Sequence, residues 1–139
     1  MKISFTEFNK ILNNIFIYEK NPIIAVGVSG GPDSIALTYL LKEWSKKKSG
    51  RLIALIVDHR IRKESYFESI NTKLYLNEMG IESQILTVSK KIKIKKMSDA
   101  RNYRFKKLFD FCKKKNIFHL FLAHHFDDNI ETFVLRKIA

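Results

Sequence analysis

Apolar residues along this chain follow two patterns that alternate. Unbroken apolar runs, which favour strands buried on both faces of a sheet, cover residues 23–28 and 52–57, and two mixed runs that include polar residues predict further strands over 81–88 and 117–123. Between these runs, apolar residues recur every three or four positions, which predicts amphipathic helices. Strands that alternate with helices predict an α/β fold, a doubly wound parallel sheet with helices on both faces. We expect a single domain over residues 1–139.

The helical pattern begins before the first strand. Ser4 and Glu7 form a capping box ahead of a helix that ends near residue 18. A second helix follows the first strand, and a third is predicted over residues 64–79. The third helix has apolar residues that share one face: Phe67, Ile70 and Leu74.

Two later stretches are less regular. Residues 90–96 alternate lysine with isoleucine, which leaves open an edge strand guarded by lysines or a mobile loop. After them, a fourth helix carries Arg101 and Arg104 three positions apart, and therefore on one face. A last helix is predicted after the fourth strand, with apolar positions at Ile130, Phe133, Val134 and Ile138.

A glycine loop follows the first strand, where residues 29–34 read Ser-Gly-Gly-Pro-Asp-Ser. Gly30 and Gly31 have no Cβ, so the backbone can turn sharply and approach a ligand closely. The free N–H groups of the helix that follows favour an anion at this point. Asp33 would repel a bare phosphate, which indicates that a cation accompanies the anion. No Gly-Lys-Ser/Thr follows the glycines, so the loop is not a Walker A box.

Polar clusters also follow two other predicted strands. Asp58 and His59 come after the second strand, and residues 124–128 (HHFDD) come after the fourth. The carboxyl ends of parallel strands meet at one edge of a doubly wound sheet, and ligands bind there. The sequence therefore predicts one binding site that combines the glycine loop with both clusters.

The loop resembles the pyrophosphate loop of the N-type ATP pyrophosphatases, the PP-loop superfamily. Three further motifs stand after it in order: VDHRIRKES at 57–65, ARNYRF at 100–105 and AHHFDDNIET at 123–132. Together with the loop they resemble the tRNA(Ile)-lysidine synthases, over about residues 23–136. One departure is Arg60, where that family usually has glycine, and it adds a side chain near the expected substrate mouth.

The resemblance implies a ligase that modifies the wobble cytidine of a tRNA(Ile) with a CAU anticodon. ATP would adenylate the C2 oxygen of that base and release pyrophosphate. The ε-amine of free L-lysine would then attack C2, and AMP would leave. The resemblance thus implies ATP, Mg²⁺, lysine and this tRNA as ligands.

The resemblance also implies a role for individual side chains. Arg104, His124 and Asp33 would be catalytic groups, and Arg104 and His124 would contact the α-phosphate. The simpler interpretation of Arg104 is a surface ion pair, and that of His124 is a position beside a helix N-terminus. Asp33 and Asp128, as hard oxygen donors, would bind Mg²⁺, while Asp58 and Glu131 would hold the lysine ammonium groups. The ATP-binding residues would be Ser29, Gly30, Gly31, Pro32, Asp33, Ser34 and Arg101.

Composition narrows the class of protein. The formal net charge of +12 favours an RNA partner, although the abundant lysine is also what AT-rich codons supply. Cys112 is the only cysteine, which excludes an internal disulfide and a paired-cysteine site. The sequence lacks an apolar run of about 18 residues and a signal-peptide pattern, so we expect a cytoplasmic protein without membrane contact.

Three other functions stay open at this point. A PP-loop tRNA thiolase would use the same ATP loop, but those enzymes generally need paired cysteines. An amidotransferase-linked synthetase is the second, although the AHHFDD string at 123–128 fits it poorly. A nucleotide-binding module without activity is the third, because the chain stops inside the predicted last helix. The lysidine synthases continue into C-terminal tRNA-binding domains, so we expect residues 1–139 to be the N-terminal part of a truncated catalytic domain. A homodimer is compatible with these features.

Overall fold

The computed structural model describes residues 4–15, 18–29, 32–58, 64–87, 97–123 and 130–134, with the backbone alone at 15, 32, 33, 97–100, 123 and 130–134. The described elements are, in chain order, α1 (Phe5–Ile15), β1 (Ile23–Val28), α2 (Pro32–Lys47), β2 (Arg51–Asp58), α3 (Glu64–Glu78), β3 (Glu82–Thr87), α4 (Met97–Lys114), β4 (His119–Ala123) and β5 (Ile130–Val134). None of the helices in these ranges combines the length and the apolarity needed to cross a bilayer.

The sheet has the strand order β3-β2-β1-β4-β5. β1 pairs in parallel with β2 on one side and with β4 on the other, and β2 pairs in parallel with β3. From β1 the chain therefore adds β2 and β3 on one side, and then returns to add β4 on the other side of β1. The predicted doubly wound α/β fold is confirmed, and the point where the winding reverses lies between β1 and β4.

Helices cover both faces of the sheet, as predicted. On one face, Phe8 of α1 and Trp44 of α2 pack with Leu76 of α3 in a core that includes Phe121 of β4. On the other face, Leu108 and Cys112 of α4 pack against Ala25, Leu55 and Leu120 of the sheet. Because residues of one strand alternate between these two cores, the continuous apolar runs in the sequence reflect burial on both sides.

Three helices end in the same way, on a residue with a left-handed backbone. Ser49, Gly80 and Asn116 have φ values of 52°, 72° and 57° and follow α2, α3 and α4. In each case the next residue donates its N–H to a carbonyl of the last helical turn, as Gly50 does to Ser45 at 2.8 Å. This geometry turns the chain directly into the following strand and places the strand starts at one edge of the sheet.

The apolar side of α3 does not face the sheet in the way that the sequence predicted. Phe67 and Leu74 are 66% and 55% exposed, whereas Ser69 and Leu76, seven positions apart, are buried. The Lys73 ammonium donates to the Ser83 carbonyl of β3 at 2.7 Å, on the same side of the helix as the two buried residues. The side of α3 with Ser69, Lys73 and Leu76 therefore packs against the sheet, and Phe67 and Leu74 are left in solvent.

The predicted last helix is wrong over residues 130–134. This segment forms β5, which pairs antiparallel with β4 in the register Leu120↔Phe133 and Leu122↔Glu131. Ile130, Thr132 and Val134 are β-branched residues at alternate positions, which favours a strand, and β4 offers an open edge whose backbone groups need partners. Ile138 lies outside the described residues.

Candidate functional site

Two serines enclose the glycine loop at the carboxyl end of β1. The Ser29 N–H donates to the Ser34 Oγ at 3.3 Å, and the two hydroxyl oxygens are also 3.3 Å apart. Ser29 is exposed, while Ser34 is buried in the first turn of α2. The hydroxyls of both predicted residues therefore meet at the mouth of the loop.

The first turn of α2 is held by a threonine that sequence reasoning missed. α2 begins at Pro32, whose fixed φ and missing N–H suit the first position of a helix. The buried Thr38 hydroxyl donates to the Ser34 carbonyl at 2.6 Å. Within the helix pattern Thr38 looked like an ordinary position, and only its spacing of four from Ser34 could have indicated the contact.

The Arg104 side chain crosses from α4 to β1 and lies against Gly27. The Arg104 Nη2 atom is 3.4 Å from the position that a Cβ at Gly27 would occupy. Gly27 stands two residues before Ser29, so the guanidinium lies next to the carboxyl end of β1, as predicted from its helix. Sequence reasoning missed Gly27, although an isolated glycine inside a strand often marks a close approach by another group.

The charged guanidinium of Arg104 is shielded from water. Burial lowers the pKa of Arg104 below its ordinary value, and the neighbouring Arg101 lowers it further. Among the residues that the structure describes, no carboxylate forms an ion pair with Arg104. Arg101 is exposed, and its guanidinium carbon lies 5.2 Å from the centre of the Phe105 ring. Arg104 thus brings positive charge to the carboxyl end of β1.

Asp58 lies at the carboxyl end of β2, the strand next to β1. Its side chain is 2% exposed, and its Oδ1 accepts a hydrogen bond from the Ser65 hydroxyl of α3 at 2.8 Å. Ser65 was not identified as a site residue in the sequence. The contact holds the carboxylate at the predicted edge, between β2 and the start of α3.

Other predicted site residues fall partly or wholly outside the described residues. Asp33 and Glu131 are described by their backbone alone, in α2 and in β5, and Glu131 is paired with Leu122 near the carboxyl end of β4. Within the described ranges, no group of three or more His, Cys, Asp or Glu side chains is placed to hold a metal ion. The residues outside the description are Gly30, Gly31, Arg60, residues 90–96, His124 and Asp128.

Cys112 is a core residue. Its side chain is fully buried in α4, and burial raises the pKa of its thiol to about 12. A thiol that stays protonated at neutral pH is a poor nucleophile, which agrees with the packing role expected from the sequence.

A family model described as the PP-loop domain matches residues 2–138. The chain belongs to this family of ATP-binding domains. Its motif-based resemblance is confirmed by curated relatives named tRNA(Ile)-lysidine synthase. The relative from Wolbachia pipientis wMel is 43% identical over 132 residues, which are 93% of this chain and 30% of the relative. The one from Orientia tsutsugamushi is 35% identical over 87% of this chain and 28% of its own length.

The PP-loop domain described here thus spans under a third of the curated relatives that it matches. A solved structure with a similar fold is the U34-tRNA thiolase NcsA from Methanococcus maripaludis with its [4Fe-4S] cluster. The likeness has a TM-score of 0.73 at 24% identity and covers 89% of this chain and 47% of that one. This likeness supports the α/β fold assigned above.

Proposed function

We propose that this PP-loop domain carries the adenylation site of a tRNA(Ile)-lysidine synthase. The observation that carries the proposal is the arrangement at the reversal point of the sheet. There the Ser29 and Ser34 hydroxyls lie 3.3 Å apart at one end of β1, and the Arg104 guanidinium lies against the same strand at Gly27. Hydroxyls, helix N–H groups and a withdrawn cation are the groups that hold a polyphosphate.

The reaction has two steps, with ATP, a CAU-anticodon tRNA(Ile) and free lysine as substrates. The C2 oxygen of the wobble cytidine attacks the α-phosphorus of ATP, so a P–O bond forms to the base as the bond to pyrophosphate breaks. The lysine ε-amine then forms a bond to C2, a proton is lost from the nitrogen, and AMP leaves with the oxygen. The relatives named tRNA(Ile)-lysidine synthase support this choice of substrates.

Phosphate binding and transition-state stabilisation fall to different residues. The Ser29–Ser34 loop would hold the departing pyrophosphate, with Arg101 as a further cation near it. Arg104, with His124, would stabilise the charge that moves onto the α-phosphate oxygens, because fixed donors lower the barrier most where charge develops. The lowered pKa of Arg104 indicates a cation that gains from the arrival of an anion.

The proposal also assigns acidic residues to Mg²⁺ and to the substrate lysine. Asp33 in the first turn of α2 and Asp128 would supply carboxylate oxygens, the donors that Mg²⁺ prefers, to neutralise the polyphosphate. Asp58 would be one acidic contact to the lysine ammonium group, because its carboxylate is buried and is held by Ser65 at the same edge of the sheet. Glu131, in β5 beside the end of β4, would be the second acidic contact to lysine.

The test is pyrophosphate release by the purified chain with ATP and Mg²⁺. We expect release that requires both the CAU-anticodon tRNA(Ile) and lysine for full turnover, and none with a tRNA whose anticodon lacks the wobble cytidine. ATP soaked into crystals should place its phosphates on Gly30, Gly31 and Ser34. Nucleotide density elsewhere would contradict the placement.

Two other outcomes would replace the proposal. Binding of ATP without pyrophosphate release under any substrate combination would favour a nucleotide-binding module. Release that depends on a sulfur donor instead of lysine would favour a thiolase, although the one cysteine, Cys112, is buried and its raised pKa keeps it protonated.

A further inference from the structure

Gly27 lies where three side chains converge on the face of β1 that packs against α4. A Cβ at this position would overlap the Leu122 Cδ2 atom, its neighbour in the sheet register. It would also lie 3.3 Å from Leu108 Cδ1 and 3.4 Å from Arg104 Nη2. The overlap with Leu122 explains why β1 has a glycine here, and the missing side chain also leaves room beside the strand for the end of the Arg104 side chain.

Side chains on the inward side of α4 border the space beside Gly27. Arg104, Leu108 and Cys112 are four residues apart and form one line along the helix. Leu108 and Cys112 are fully buried against the sheet, and Arg104 continues the same line toward the carboxyl end of β1. The guanidinium therefore stands at an apolar packing position, and since a Cβ at Gly27 would already touch it at 3.4 Å, a side chain larger than that of alanine would enter its space.

We propose that Gly27 is a positioning residue whose missing side chain forms the seat of the Arg104 guanidinium. Gly27 touches no substrate; it acts through Arg104, and its effect on catalysis rests on the function proposed above. A long arginine side chain loses rotamer entropy when it is fixed. A seat bounded by Leu108, Leu122 and the β1 backbone restricts it before ATP binds, so that it meets the α-phosphate already oriented.

Two pairs of substitutions separate positioning from packing. Gly27→Ala with Leu122→Ala removes the overlap with Leu122, and the added methyl group then makes an ordinary contact with Arg104 Nη2 at about 3.4 Å. Gly27→Val with Leu122→Ala adds two further carbons that extend into the space of the guanidinium. Leu122→Ala alone is the control, because it carries the same truncation of Leu122 and keeps the glycine at position 27.

The first readout is structural and needs no activity. In the Gly27→Ala/Leu122→Ala variant, NMR should show a nuclear Overhauser contact between the methyl group at position 27 and the side-chain protons of Arg104, assigned by their loss in Arg104→Ala. In the Gly27→Val/Leu122→Ala variant the Arg104 Nε–Hε resonance should shift away from its position in the control. A missing Overhauser contact, or an unmoved resonance in the valine variant, would overturn the seat.

The second readout is kinetic. The alanine pair should release pyrophosphate within about 3-fold of the control, while the valine pair should be slower on the order of 10²-fold at nearly unchanged ATP affinity. Adding Arg104→Ala to the valine pair should cause no further loss, because both changes remove one interaction. Additive losses would show that Gly27 acts through another group. If the wild-type chain releases no pyrophosphate while the Overhauser contact is present, the proposed function fails and the seat stands.

Discussion

The hydroxyl oxygens of Ser29 and Ser34 lie 3.3 Å apart, at opposite ends of a six-residue loop. The Ser29 N–H also donates to the Ser34 hydroxyl, so this end of β1 and the first turn of α2 are tied together across the glycines. The same hydroxyls can rotate to donate to a phosphate oxygen. The contact therefore fixes the distance between the end of β1 and the first turn of α2.

Ser34→Ala should weaken ATP binding by roughly 10-fold, because a hydrogen bond to a charged group contributes about 1.5–3 kcal/mol and part of that loss is recovered by water. Isothermal titration with ATP and Mg²⁺ measures the change. Ser45→Ala is the matched control: Ser45 is also buried in α2, and its hydroxyl donates to Lys42 within the helix. Equal losses of affinity in both variants would show that Ser34 matters only for the helix.

Arg104→Ala should slow pyrophosphate release by about 10²- to 10³-fold, the usual cost of removing one fixed donor to a developing negative charge. ATP affinity should change much less, because the loop still holds the other phosphates. Rapid-quench measurement of the first turnover, together with an ATP titration, checks both statements.

Two comparisons sharpen the Arg104 prediction. Arg104→Lys should recover only part of the rate, because an ammonium lacks the planar fork of a guanidinium. Arg101→Ala should have the milder effect on the chemical step, since Arg101 is exposed and lies over Phe105. Arg104 would be a ligand of the bound ATP, and not of the transition state, if Arg104→Ala weakened ATP binding and left the first turnover unchanged.

His119 should make the protein less stable below neutral pH. His119 is buried at the start of β4, and burial lowers its pKa below the ordinary value of 6.5. The unfolded chain takes up a proton as the pH falls through 6.5, while the folded chain does not until its lower pKa is reached. Stability from this group is therefore full above pH 6.5 and is lost progressively below it.

Urea unfolding at about pH 7.5 and 5.5 tests this sign. The midpoint should fall at the lower pH in the wild type and fall less in His119→Phe, which keeps an aromatic ring beside Tyr18. The raised pKa of Glu19 acts in the opposite direction and is present in both proteins, so it cancels in the comparison. An equal fall in both proteins would assign the pH dependence to other groups.

Ser49→Gly should stabilise the protein by about 0.5–1 kcal/mol, because Ser49 has a φ of 52°, where a Cβ is unfavourable and glycine is not. Thermal or urea unfolding measures the gain. Gly80→Ala is the reverse case at the end of α3, where φ is 72° and open space surrounds the position, and it should destabilise through the backbone alone. A loss of stability in Ser49→Gly would mean that the Ser49 side chain makes a compensating contact.

The amino-acid sequence by itself determined the order of helices and strands as far as β4, the parallel pairing of β1 to β4 and the position of the loop. Continuous apolar runs, the Gly30-Gly31 pair and Pro32 are local signals, because each limits the backbone or the burial of its own segment. The same reasoning placed Ser29, Ser34, Asp58 and Arg104 at one edge, since the carboxyl ends of parallel strands must meet there.

Only the tertiary structure decided which surfaces meet. The spacing of Phe67 and Leu74 predicts an apolar face on α3, but the helix packs with the side of Ser69 and Leu76 and leaves that face in solvent. The β-branched residues at alternate positions in 130–134 favour a strand, but the open edge of β4 that receives β5 is a property of the assembled sheet. The packing of Arg104 against Gly27 joins residues 77 positions apart, and it exists because α4 and β4 bring Leu108 and Leu122 around that glycine. Such contacts depend on the shapes of distant segments, and local periodicity contains no information about them.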